Sequence, residues 1–164
     1  MTPIYRTITG RRFGLDKLSV AERRFLRELA ALCGKKKLHW TPFAARWSRL
    51  FDELGLRETS PVYRIAQDLE ARIGIAEGKV APPDYRDCLA DLIEERFGSR
   101  YRFCKKTGFD AGQLSRVLSG RADLSVPALG KILNTLRAVM VLEPADVRER
   151  NVSPKLAAAA LLAT

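Results

Sequence analysis

Along the chain, apolar residues recur at intervals of three and four rather than two, and most of these runs open on a residue that caps helices. Ser19 is followed three residues later by Glu22, a capping-box pattern, and Phe25, Leu26, Leu29 and Leu32 then form a stripe that stops at Gly34. Thr41-Pro42 places a cap before a proline at the first helical position, ahead of Phe43, Ala44, Trp47, Leu50, Phe51 and Leu54. Ser60-Pro61 repeats the device before Val62, Ile65, Ala66, Leu69 and Ile73, with Gly74 as the predicted end. The stretch GIAEGKVAPPD that follows carries two glycines and a Pro-Pro pair, which predicts a domain boundary.

Beyond it the predicted helices are shorter and closer together. Asp84 caps one bearing Cys88, Leu89, Leu92, Ile93 and Phe97, closed by Gly98. Ser99 caps RYRFCKKTG, Asp110 caps AGQLSRVLSG and Ser125 caps VPALGKILNTLRAVM. No segment sustains period-two alternation, although Val139 to Leu142 is a candidate for a short extended piece. After Pro144 the pattern lapses, and the Ala-rich end reads as a frayed helix or a disordered tail. The expected fold is all-α, with seven helices in two packed units: an N-terminal helical domain over 1–80, a second helical domain over 81–143 and a C-terminal tail over 144–164.

Charge adds a partner to this picture. The chain carries 29 Lys and Arg against 19 Asp and Glu, a net of +10, which favours a polyanion, with nucleic acid ahead of an anionic membrane surface. Cys33, Cys88 and Cys104 are odd in number and form no CxxC pair, and His39 is the sole histidine, so a disulfide framework, a zinc site and a His-rich centre have no support. The hydrolase elbow G-x-S-x-G, the P-loop and the G-x-G-x-x-G fingerprint are all absent. No catalytic residue, metal or cofactor is assigned, and an enzyme is not expected. The first residues lack an apolar leader core, and LAAAALLA is well short of the ~20 residues of a membrane span. A soluble protein of a reducing cytoplasm is expected.

The most informative stretch is GFDAGQLSRVLSG, from Gly108 to Gly120. Glycine permits a positive φ at the turn, Phe109 plugs the core and Asp110 caps the next helix. With Leu114, Val117 and Gly120 at matching spacing, it resembles the lambda-repressor-like (Cro-type, XRE) helix-turn-helix family. Cys104 upstream, and Ser125, Leu129, Ile132, Leu133 and Leu136 downstream, extend the resemblance over about residues 84–140. The resemblance implies a helix-turn-helix DNA-binding domain over 81–143. Its third helix would lie in the major groove and present Ala111, Gly112, Gln113, Ser115 and Arg116 to base edges. Gln113 suits adenine and Arg116 guanine. Arg100 matches a phosphate-gripping position, and Arg102, Lys105, Lys106 and Arg121 are further backbone candidates. Ala111 and Gly112 are shorter than the family's usual residues, and Asp110 is acidic close to the expected backbone.

Charge within that stretch is polarised. Arg96, Arg100, Arg102, Lys105, Lys106, Arg116, Arg121, Lys131 and Arg137 are opposed only by Asp110 and Asp123, whereas the preceding helix carries Asp84, Asp87, Asp91, Glu94 and Glu95, an expected outward acidic back. In the N-terminal part, Lys35, Lys36, Lys37 and Arg46, with Trp40 and Trp47 interleaved, make a second basic surface one reading; Trp47, on the stripe of Phe43, Leu50 and Phe51, makes a helical core the other.

The leading expectation is a sequence-specific double-stranded DNA-binding transcriptional regulator of bacterial or phage type, a repressor working as a homodimer, cytoplasmic and nucleoid-associated. The alternative is an antitoxin or adaptor whose N-terminal helices bind a protein partner, with DNA binding for autoregulation. A nucleic-acid-processing enzyme would need clustered carboxylates, and the nearest, Asp52 with Glu53 and Asp68 with Glu70, read as helix surface charges.

Overall fold

A computed structural model describes residues 3–35, 37–142 and 152–162. It is mostly helical, and its described residues fall into two compact units, one of 3–8, 12–35, 37–82 and 152–162, the other of 9–11 and 83–142.

The helical content matches the expected fold class, and to it the first unit adds one small two-stranded sheet. β1 (Ile4–Arg6) and β2 (Arg12–Gly14) pair antiparallel, with Tyr5 opposite Phe13. Three residues each are too few to show a period of two, which is why the pattern concealed them. α1 (Val20–Cys33) has the predicted capping box between Ser19 and Glu22. Glu22 also accepts from the Ser60 hydroxyl, and although partial burial raises its pKa, hydrogen bonds from Ser60 and Ser19 outweigh that and hold it below the usual carboxylate range.

α2 (Trp40–Glu53) does not start at the Thr41-Pro42 device. Its N-cap is His39, whose side chain makes no capping bond, and the cap comes from elsewhere: Glu77 Oε1 accepts from the Trp40 amide at 3.1 Å and lies 3.1 Å from His39 Nδ1. α3 (Pro61–Ala76) runs through Gly74 rather than ending there. Gly74 is buried, and a Cβ on it would come within 2.6 Å of Val80 Cγ2, so this glycine serves close packing rather than termination. Of the two readings of the Ala-rich end, the helix is the one found: in α8 (Pro154–Ala159), however, the end is packed rather than frayed, with Ala158 and Leu161 buried in the same core and the helix against α1 and α3. Residues 144–151 and 163–164 of the expected tail, and Lys36, lie outside the described residues.

That core is aromatic at its centre, with Phe51 within 5.6 Å of Phe25 and 5.3 Å of Tyr63. Beside it lies a buried polar network. Asp68 accepts from Tyr5 Oη at 2.6 Å, the Ile8 amide at 2.7 Å and Arg72 Nε at 2.7 Å, while Arg72 Nη2 donates to the Arg6 carbonyl. Asp68 is therefore no surface charge. It sits one turn from Arg72 on the inner face of α3, and the hairpin supplies the partners a buried carboxylate needs. Burial first, then the Asp68 charge, pushes the Tyr5 phenol well above its ordinary range, and burial pushes the Cys33 thiol up to about 12.

The second unit holds α4 (Tyr85–Phe97), α5 (Arg100–Thr107), α6 (Ala111–Leu118) and α7 (Val126–Thr135) around Leu89, Ile93, Phe103, Cys104, Leu114, Ile132 and Leu136. Asp84 caps α4 in a box closed by Asp87. α7 ends earlier than its apolar pattern suggests. The amides of Arg137 and Ala138 return to the carbonyls of Asn134 and Leu133, a Schellman turn that puts Arg137 at φ 47°. Left-handed backbone costs a non-glycine residue roughly 1–2 kcal/mol. Val139 to Leu142, the expected extended piece, is exposed and outside any strand.

Candidate nucleic-acid interface

α5 and α6 are set by caps at both ends of their connection. The Ser99 hydroxyl accepts from the Arg102 amide at 3.2 Å, opening α5, and Gly108, at φ 73°, returns its amide to the Cys104 carbonyl to close it. Asp110 then accepts from the Gln113 amide and starts α6. Between them Phe109 packs against the core, its ring 6.3 Å from that of Phe103. The turn therefore has the glycine, apolar plug and cap predicted for it.

Within α6, Leu114 and Val117 are buried, while Ala111, Gly112, Gln113, Ser115 and Arg116 are exposed. Gln113 and Arg116 are three apart and share the outer face, and neither side chain has a hydrogen-bond partner among the described residues. Beyond the helix, the amides of Arg121 and Ala122 fold back onto the Arg116 carbonyl at 2.8 and 3.1 Å, and Arg121 Nε donates to Ser119 Oγ at 3.0 Å.

The phosphate candidates Arg100, Arg102, Lys105, Lys106 and Arg121 are all exposed, as are Arg96, Arg116, Lys131 and Arg137. Arg100 stands at the first position of α5, beside amides with no helical acceptor. The two opposing carboxylates are engaged: Asp110 caps α6, and Asp123 accepts from Arg86 Nη2. Two carboxylates, one of them paired with Arg86, against nine exposed cations leave a positive field over this part of the unit. The outward acidic back needs correction, because Asp91 and Glu94 are half-buried and meet residues 9–11: Asp91 accepts from the Thr9 hydroxyl, and Glu94 lies 3.5 Å from Arg11. Hydrogen bonds to the Arg86 amide and guanidinium hold Asp84 below the ordinary carboxylate range, outweighing the opposite effect of desolvation.

In the first unit, Lys35, Lys37 and Arg46 are exposed, but the tryptophans do not interleave with them at the surface. Trp47 is buried, edge-on to Phe51 and Tyr63, with its indole N–H donating to Glu70 Oε2 at 2.7 Å. Trp40 is half-buried against the same core. Trp47 therefore takes the core reading, while Lys35, Lys37 and Arg46 stand at the surface.

Cys104 is buried with its thiol pKa raised by burial and by Asp110, the opposite of nucleophile activation. Among the described residues no group of three or more His, Cys, Asp or Glu is placed to hold a metal ion, and no helix is long and apolar enough to cross a membrane. Compared with family models, curated proteins and solved structures, the chain has no match. One grouping escaped sequence reading: Arg96, Lys106 and Arg137, far apart in the chain, line one pocket.

Proposed function

We propose that the chain is a sequence-specific double-stranded DNA-binding transcriptional regulator of bacterial or phage type, a homodimeric repressor of the cytoplasm and nucleoid. The observation that carries this reading is the outer face of α6, where Gln113 and Arg116 stand free above buried Leu114 and Val117 amid exposed cations. A helix seated in the major groove needs a rigid inner face, free polar side chains on the outer face and flanking cations for phosphate. Arg116 reads a guanine by a bidentate contact and Gln113 an adenine. Arg100, with the open amides of α5, grips a phosphate, and Arg102, Lys105, Lys106 and Arg121 add sequence-independent affinity. Ala111 and Gly112 leave room for close approach, so methyl contacts and DNA shape supply part of the readout. Two copies on a palindromic site multiply a recognition that spans only a few base pairs in one copy.

Selection of duplexes from a random pool by the full chain tests this. The expected result is a two-fold symmetric consensus, with affinity falling with salt on a log-log slope of roughly −4 to −8 for the dimer. No enrichment, or a flat salt response, removes DNA from the account.

A further inference from the structure

An open pocket of about 510 Å³ in the second unit is lined by Arg96 and Phe97 from α4, Lys106 from α5 and Arg137 beyond α7, with three cations and no carboxylate on its wall. No residue of α6 lines it. Among the described residues, the side chains of Arg96 and Arg137 have no ion pair or hydrogen bond, and Lys106 Nζ stands 5.7 Å from the centre of the Phe97 ring.

A cation near a helix C-terminus is ordinary, because it faces the negative end of the dipole. That accounts for the charge at all three positions, Arg137 standing just past the end of α7, but not for the backbone conformation of Arg137. α4 and α5 each end on a left-handed glycine, Gly98 and Gly108, whereas α7 places an arginine in that conformation. It is the one non-glycine residue with positive φ among the described residues. Backbone strain of this kind is kept where the side chain has a task, and the task visible here is to complete the cationic wall.

We infer that this pocket binds a small molecule carrying a phosphate group with two or more negative charges, a phosphomonoester or a pyrophosphate. Its volume lies within the range of small-molecule sites. Two guanidinium groups offer forked donors that match phosphate oxygens, and the lysine adds a point charge. A monocarboxylate, or a DNA backbone phosphate with its single charge, leaves most of the wall uncompensated. Lys106 is shared with the DNA backbone contacts proposed above, whereas Arg96 and Arg137 are not, and the inference stands without the DNA-binding reading.

The test titrates inorganic pyrophosphate into the full chain without DNA at about 0.15 M salt, following backbone amide and arginine side-chain signals by NMR. The expected result is saturable binding with shifts confined to the pocket residues. Arg137→Gly relaxes the turn, so its melting temperature should rise while pyrophosphate affinity falls at least tenfold, separating lost binding from lost fold. Lys131→Ala, outside the pocket, should bind within twofold of the parent. Unsaturated shifts spread over exposed cations, or an Arg137→Gly variant that binds as well as the parent, overturn the inference. In a separate arm, duplex affinity of Arg137→Gly should stay within twofold. A loss there with pyrophosphate binding intact assigns the pocket to a DNA phosphate and overturns the small-molecule ligand.

Discussion

In the first unit polar side chains close on one another: Asp68 satisfies Tyr5, Arg72 and the Ile8 amide, Trp47 is held by Glu70, and Glu77 caps a helix in another part of the chain. In the second, nine cations from Arg96 to Arg137 stand exposed, while its two nearby carboxylates are engaged. The cores differ in the same direction, with eighteen buried apolar residues clustered in the first and seven in the second, among the described residues. Polar groups engaged inside a unit fix its fold, and those left outside are available to a ligand; exposed cations occur in both units, and the proposed recognition rests on the second because there they flank α6.

The sharpest way to break that contrast is at Asp68. Removing one partner of a buried pair leaves the other charge uncompensated, so Asp68→Ala should cost about 3–5 kcal/mol. Both tryptophans, Trp40 and Trp47, lie in the first unit, so denaturation followed by tryptophan fluorescence reads this loss directly. An unchanged midpoint would mean that the network is incidental. In the smaller core, Leu114→Ala should cost about 2–5 kcal/mol and abolish duplex binding while leaving the tryptophan transition in place. A shift of that transition would show that the units do not melt separately.

On the recognition side the expected effects are smaller. Arg116→Ala should lose about 1–3 kcal/mol on the preferred site and flatten discrimination at one base position per half-site. Arg100→Ala should weaken all sequences alike and reduce the salt slope by about one unit per lost contact. An unaltered consensus from Arg116→Ala would remove α6 from base reading.

The smallest effect concerns alkaline pH. Tyr5 and Cys33 have raised pKa values in the fold, so both stay protonated there while the unfolded chain releases protons, the thiol from about pH 9 and the phenol from about pH 10. Stability of the first unit is therefore complete below these values and falls as pH rises, by at most about 1.4 kcal/mol per pH unit for each group. Tyr5→Phe should make that decline shallower between pH 10 and 11 in a denaturation series.

What could be read beforehand divides along sequence distance. The caps at Ser19, Ser60, Asp84, Ser99, Asp110 and Ser125 act within three residues, and each is found where the local pattern put it. The outer and inner faces of α6 follow from helical spacing alone. Some missed features are local, such as the turn that ends α7 at Arg137, but others depend on distant partners. Asp68 reads as a surface charge until Tyr5, 63 residues away, covers it. The C-terminal segment reads as a frayed helix or a tail until α1 and α3 bury Ala158 and Leu161. The pocket of Arg96, Lys106 and Arg137 depends on three helix ends meeting, and its one local sign was an arginine where a glycine would turn the chain.

The remote cap on α2 also bears on events during synthesis. The acceptor for the Trp40 amide is 37 residues downstream, at Glu77. At about 5–20 residues per second, the ribosome adds it roughly two to seven seconds after Trp40. Until then the nearest local cap is the Thr41 hydroxyl, which would start the helix at Pro42. In the folded chain the helix starts at Trp40 with Glu77 as its acceptor, so that acceptor exists only once the end of α3 has been made.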